Sequence, residues 1–254
     1  MSETNPGSDS IRPPLSAGEI LGRARAILHA NLYSVLIVNA LFGLLALIAY
    51  TASLLFVMEF LVGELAWTYR EDYQNALLSL LALPVITYGI TGLLHFYTRL
   101  ARGEKPDWSI LFQYHRGYIY MLLFWLCYYV LYFFLVRVAV RGVLEPERFE
   151  LEILVRMAAG FLFFLWLFVR LMFAPQFIVD GRSNLRQASR RSWMLTSGRT
   201  RRTAWLTLFF LVVAMVGVLF LGAGAVYTFG LAMLAYALVF DRLSHPEPAS
   251  GSAG

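Results

Sequence analysis

Thirty-eight consecutive residues, 203–240, contain no Asp, Glu, Lys, Arg or His. A bilayer core about 30 Å thick is crossed by roughly 20 apolar residues in a helix. The run is too long for one crossing and suits two joined by a tight turn, which Gly222-Ala223-Gly224 supplies near its middle. Charged residues make up 15% of the chain and hydrophobic residues 59%, against about 25% charged in a soluble domain. Such a chain cannot cover a water-facing surface. The fold class is therefore all-α, a polytopic membrane helical bundle. Spans and short connectors use up the 254 residues, leaving no room for a separate soluble domain. The division expected is a tail over 1–15, one membrane domain over 16–243 and a second tail over 244–254. Both tails are rich in Ser, Pro and Gly and read as disordered. No cleavable leader is evident, because the first apolar run is too long for a signal-peptide core and should stay in place as an anchor.

Six spans are expected, over about 33–57, 74–98, 118–136, 154–177, 203–221 and 225–240. Pro84 lies within the second and Arg170 within the fourth. Basic residues in short loops mark the cytoplasmic side. Connectors 1–32, 99–117 and 178–202, with Arg242 in the tail, hold fifteen of the twenty-one Lys and Arg residues. The opposite connectors carry Glu59, Glu64, Glu71, Asp72, Glu145, Glu147, Glu150 and Glu152. Both termini are thus expected inside. All bases but Lys105 are Arg, a skew that fits a GC-rich bacterial genome and hence the bacterial cytoplasmic (inner) membrane.

Each pair of spans is preceded by a short amphipathic segment, giving a unit of interfacial helix, span and return span three times over. Before span one, Ser16 and Glu19 have capping-box spacing, and Ala17, Ile20, Leu21, Ala24, Ile27 and Leu28 follow at helical period. Before span three, Pro106-Asp107 opens a segment with Trp108, Leu111 and Phe112 on one side. Before span five, Leu185, Ala188, Ser192 and Leu195 form a stripe with Arg186 and Arg190 turned away. Such helices lie in the headgroup layer with their bases toward anionic lipid. The connector holding Arg182, Arg186, Arg190, Arg191, Arg199, Arg201 and Arg202 is denser in arginine than topology requires. It is the candidate patch for anionic headgroups or a protein partner, against the plainer reading that it only anchors the spans.

Two stretches carry a resemblance. One is Arg102-Gly103-Glu104-Lys105-Pro106 followed by Leu111-Phe112. The other is Phe173-Ala174-Pro175 followed by Ala188, Arg191-Ser192-Trp193 and Gly198-Arg199. With the length and six spans, they resemble a group of uncharacterised bacterial inner-membrane proteins related to the membrane domain of some bacterial glycerophosphodiester phosphodiesterases. The resemblance implies the six-helix architecture over about 17–241. It implies no activity, because the catalytic barrel of those enzymes has no counterpart here.

Ionisable groups within a membrane are functional candidates by default. Arg170 lies about 10 Å inside span four at 1.5 Å per residue, with Asn39 at similar depth in span one, and the two are candidates to meet across the bundle. Pro175 removes a backbone donor and should bend or end span four. Arg170, Asn39 and Pro175 are thus the candidate ligand or lipid-headgroup site, with headgroup snorkelling by Arg170 as the bland alternative. Arg137, Arg156 and Glu59 read as interfacial anchors. Cys127 reads as a packing residue. The four His residues lack metal-ligand spacing, and no nucleophile–base–acid set, phosphate-cradling glycine loop or intramembrane carboxylate pair occurs. No cofactor, metal, nucleic acid or catalytic residue is therefore expected. The partners expected are the bilayer, anionic lipid at the cytoplasmic face, and other membrane proteins or a second copy of the chain. A non-enzymatic scaffold or partner subunit is favoured, then a transporter or lipid-handling protein, then an intramembrane enzyme. Reporter fusions at Trp67 and Gly142 are expected to report an external location, and cytoplasmic signals at both would overturn the six-span orientation.

Overall fold

The computed structural model describes residues 16–57, 71–105, 107–113, 117–143, 151–181, 183–197 and 223–244, with isolated positions between 205 and 212. Among them all regular structure is helical. The elements are α1 (Ala17–Ala30), α2 (Leu32–Phe56), α3 (Glu71–Ala101), a 3₁₀ turn (Trp108–Phe112), α4 (Tyr118–Val143), α5 (Leu151–Leu171), α6 (Ala174–Val179), α7 (Leu185–Thr196) and α8 (Ala223–Ser244). Four helical stretches are long and apolar enough to cross a membrane: Leu32–Phe56, Leu77–Ala101, Ala158–Val179 and Val226–Ser244. These correspond to the first, second, fourth and sixth expected spans. For the third, the described apolar helix is the shorter Tyr118–Phe133. Most of the fifth, both terminal tails and Glu59 lie outside the described residues, as do the side chains of Arg137 and Arg156.

The capping box forms as the spacing requires. The Glu19 N–H donates to Ser16 Oγ at 3.2 Å, and the Ser16 N–H donates to the Glu19 carboxylate at 2.6 Å. Two donors that a helix start leaves orphaned are thereby satisfied. Ile20, Ala24 and Leu28 are buried, so the apolar face of α1 packs on protein, chiefly α8. One residue separates α1 from α2. Asn31 donates from its side chain to the Ile27 carbonyl at 2.9 Å and from its backbone to Leu28 at 3.1 Å, closing α1 as the chain turns into α2.

The central element is α3, which packs against α1, α2, α4, α6, α8 and the 3₁₀ turn. Without hydrophobic attraction between helices in lipid, such contacts depend on close packing, small residues and interhelical hydrogen bonds. Tyr97 of α3 donates its hydroxyl proton to Asn39 Oδ1 of α2 at 2.9 Å, and Asn39 Nδ2 donates to the Val226 carbonyl of α8 at 3.1 Å. Gly230 of α8 lies against this knot. A Cβ there would stand 2.9 Å from Val35 Cγ1, 3.0 Å from the Tyr97 hydroxyl and 3.1 Å from Asn39 Nδ2. Gly89 allows the same closeness between α3 and α2, where a Cβ would meet Phe42 and Leu45 at 2.9 Å. Around the knot, Val35, Val38, Leu93, Phe96, Leu234 and Phe240 form the principal core.

Two expectations need correction. The 3₁₀ turn before α4 buries Ile110 and Leu111 while Trp108 and Phe112 are exposed, because three residues per turn regroup the faces. Helix α4 packs on the protein through Met121, Phe124 and Tyr128. Cys127 is exposed rather than packed. The expected stripe of α7 is present and extends to Thr196, with Ala188, Ser192 and Thr196 buried.

Gly230→Ala is expected to cost about 1–3 kcal/mol by forced repacking. Tyr97→Phe, which deletes one interhelical bond, is expected to cost about 0.6–1.7 kcal/mol. Thermal unfolding in detergent checks both, and an unchanged midpoint for Gly230→Ala would contradict so close an approach of α8.

Candidate functional site

Pro175 acts as its chemistry requires. Lacking an N–H, it cannot bond the Leu171 carbonyl in a continuous helix, and the helix stops at Leu171 and restarts as α6 at Ala174. Ser192 of α7 spans the break. Its hydroxyl accepts from the Phe173 N–H at 3.2 Å and donates to the Arg170 carbonyl at 2.8 Å. From the other side, the Tyr236 hydroxyl of α8 donates to the Met172 carbonyl, and its ring stacks on Phe173 at 5.5 Å. A broken helix is tolerated within a membrane when neighbouring side chains satisfy its freed backbone groups. Here α7 and α8 supply three such bonds, to the Arg170 carbonyl, the Phe173 N–H and the Met172 carbonyl.

The break determines where Arg170 lies. It occupies the last turn of α5, where a cation complements the negative end of the helix dipole. Its guanidinium carbon stands 5.1 Å from the Trp193 ring and 5.8 Å from that of Trp166. The two indoles meet edge to face at 5.1 Å. Arg170 Nε and Nη1 are enclosed without a hydrogen-bond partner. Asn39 spends both ends of its amide on Tyr97 and Val226, so the expected meeting of Arg170 and Asn39 does not occur. Arg170 and Pro175 belong to one site, and Asn39 belongs to the core.

Within the arginine patch, Arg186, Arg190 and Arg191 are exposed on α7, and Arg191 donates to Ser183 Oγ at 2.9 Å. Arg182, Arg199, Arg201 and Arg202 lie outside the described residues.

A second polar centre sits where α3, α6 and α8 end. Arg102 donates from Nη1 to Asp180 Oδ1 at 2.9 Å and from Nε to Asp241 Oδ1 at 3.0 Å, tying the ends of three helices. Burial pushes the Arg102 guanidinium down, but its hydrogen bonds to Asp241 and Asp180 and the charges of both carboxylates outweigh this, and the net shift is upward. It is charged at every physiological pH. Beside the triad lies a cavity of about 430 Å³ whose walls include Thr91, His95, Thr98, Arg99, Arg102 and Asp180. Arg99 donates from Nε to His95 Nε2 at 3.2 Å and pairs with Glu104 at 3.6 Å. The sequence reading missed this centre. Arg102 counts there as a topology marker and as part of a short motif, and Asp180 and Asp241 are lone acids in basic connectors. The usable signal is the recurrence of Thr87, Thr91, His95, Thr98 and Arg102 at helical spacing along α3, a polar stripe on one face.

Among the described residues, no group of three or more His, Cys, Asp and Glu can hold a metal ion. No family model, curated protein or solved structure matches this chain. The likeness to the membrane domain of glycerophosphodiester phosphodiesterases therefore rests on its short motifs alone.

In a double-mutant cycle, Arg102→Gln and Asp241→Asn are expected to couple by about 0.5–3 kcal/mol, measured by chemical unfolding in detergent. Strict additivity would mean that the triad does not hold α3 to α8.

Proposed function

We propose that this chain is a non-enzymatic integral membrane protein, a scaffold or partner subunit of an assembly in the bacterial cytoplasmic membrane. It crosses six times as three hairpins, each led in by an interfacial amphipathic helix, and keeps both termini inside. The observation that carries the reading is the closed polar knot among the described residues of three helices. Tyr97, Asn39 and the Val226 carbonyl bind α2, α3 and α8 to one another, and Gly230 seals α8 against them. A substrate path would need room at this depth. Charged groups gather at the helix ends, in the Arg102 triad and the exposed arginines of α7, where a partner or anionic headgroup meets them without entering the bundle.

A second reading, lipid handling, draws on the broken helix with Arg170 beside it and on the cavity next to Arg102. Broken helices mark the binding sites of many transporters, and a lipid substrate needs few buried polar groups. Crosslinking in cells separates the two. A photoactivatable residue at Arg190 is expected to give a protein adduct of one discrete mass, while the same residue at lipid-facing Leu47 gives lipid adducts only. Lipid adducts alone at both positions would overturn the scaffold reading.

A further inference from the structure

Arg170 has a contradiction built into its surroundings. Two indoles hold its guanidinium, at 5.1 and 5.8 Å, yet Nε and Nη1 are enclosed without an acceptor. Stacking satisfies the face of a guanidinium and leaves its edge wanting. Leaving buried donors unmade is costly, and more so for a charged group. The Arg170 carbonyl already accepts from Ser192.

The setting says what kind of acceptor fits. Helix α7 packs against α5, and its sequence holds Arg186, Arg190 and Arg191 with no acidic residue. Arg186, Arg190 and Trp193 are spaced four and three apart and share one side of the helix. A helix that polar cannot lie in hydrocarbon, so α7 belongs at the headgroup level. Arg170, bonded to Ser192 through its carbonyl, lies at the same level. Lipid-facing Phe161, Leu162 and Leu165 continue from it along α5. A ligand placed here meets fixed positive charge at one end and an apolar wall at the other.

We propose that Arg170, with Trp166 and Trp193 as its walls and Arg190 as a second cation, forms a binding site for the phosphate of an anionic phospholipid. The phosphate oxygens accept charge-assisted hydrogen bonds from the unpartnered guanidinium donors. Trp166 and Trp193 are 40% and 38% exposed, so turning either ring uncovers the donors without moving the backbone. The acyl chains then lie along α5. The site rests on the membrane reading but not on the number of spans, so the fusions at Trp67 and Gly142 can fail while this proposal stands, and the reverse.

The test uses the full chain in a neutral detergent, observed by native mass spectrometry with phosphatidylglycerol, phosphatidylcholine or inorganic phosphate added. The wild type is expected to retain phosphatidylglycerol in preference to phosphatidylcholine, whose charge is internally balanced. Arg170→Gln should weaken retention by about tenfold or more, the loss expected for a charge-assisted bond. Arg170→Lys should recover part of it. If Arg170→Gln does not fold, Trp193→Leu carries the comparison and should weaken retention severalfold. Equal retention by the wild type and the Arg170 or Trp193 variants overturns the proposal. Saturable binding of inorganic phosphate without a phosphatidylglycerol adduct overturns its lipid assignment.

Discussion

The hydrogen bond from Tyr97 to Asn39, continued from Asn39 to the Val226 carbonyl, is the interaction on which the arrangement of helices depends. It links three helices whose sequence separations would otherwise leave them free to choose partners. Hydrophobicity cannot choose for them, since lipid tails are as apolar as leucine side chains. A polar group that must find an acceptor away from water can. One amide and one phenol set the register of α2 against α3 and of both against α8, and Gly89 and Gly230 remove the bulk that would hold the backbones apart.

The same rule operates at the broken helix. A proline in a span creates a local deficit of backbone hydrogen bonds, and the fold meets it from two directions. Ser192 bridges the gap from α7, and Tyr236 reaches it from α8. Helix α7 is thus a structural part of the bundle, with Ala188, Ser192 and Thr196 buried. Arg170 stands at the helix end that the break creates, beside two indoles. The Arg102 triad completes the pattern by tying the termini of α3, α6 and α8 through charge.

Much of the architecture was legible beforehand, and the residues show why. The capping box at Ser16 and Glu19, the buried stripe of α7 and the interruption at Pro175 each depend on groups within four residues of one another, so spacing alone is informative. The apolar runs are equally local, because a backbone in lipid must bond to itself and a helix does so within one segment. Pairings were not legible. Asn39 and Arg170 stand at matching depths, and nothing in their spacing says that one bonds to Tyr97 while the other lies against Trp166 and Trp193. The 3₁₀ turn at Trp108 defeated the reading for a related reason, since a change of helical period exchanges which side chains face inward.

The amino-acid sequence by itself determined that this is an all-helical chain with stretches able to cross a membrane, where those stretches lie, and where one of them must break. Each of these follows from hydropathy or backbone chemistry over a few consecutive residues. Only the tertiary structure decided which polar groups are used up in holding helices together and which are left unsatisfied. That outcome depends on contacts between residues far apart in the chain, 187 positions for Asn39 and Val226, and it is what separates Asn39, a closed structural contact, from Arg170, a cation still lacking its acceptor.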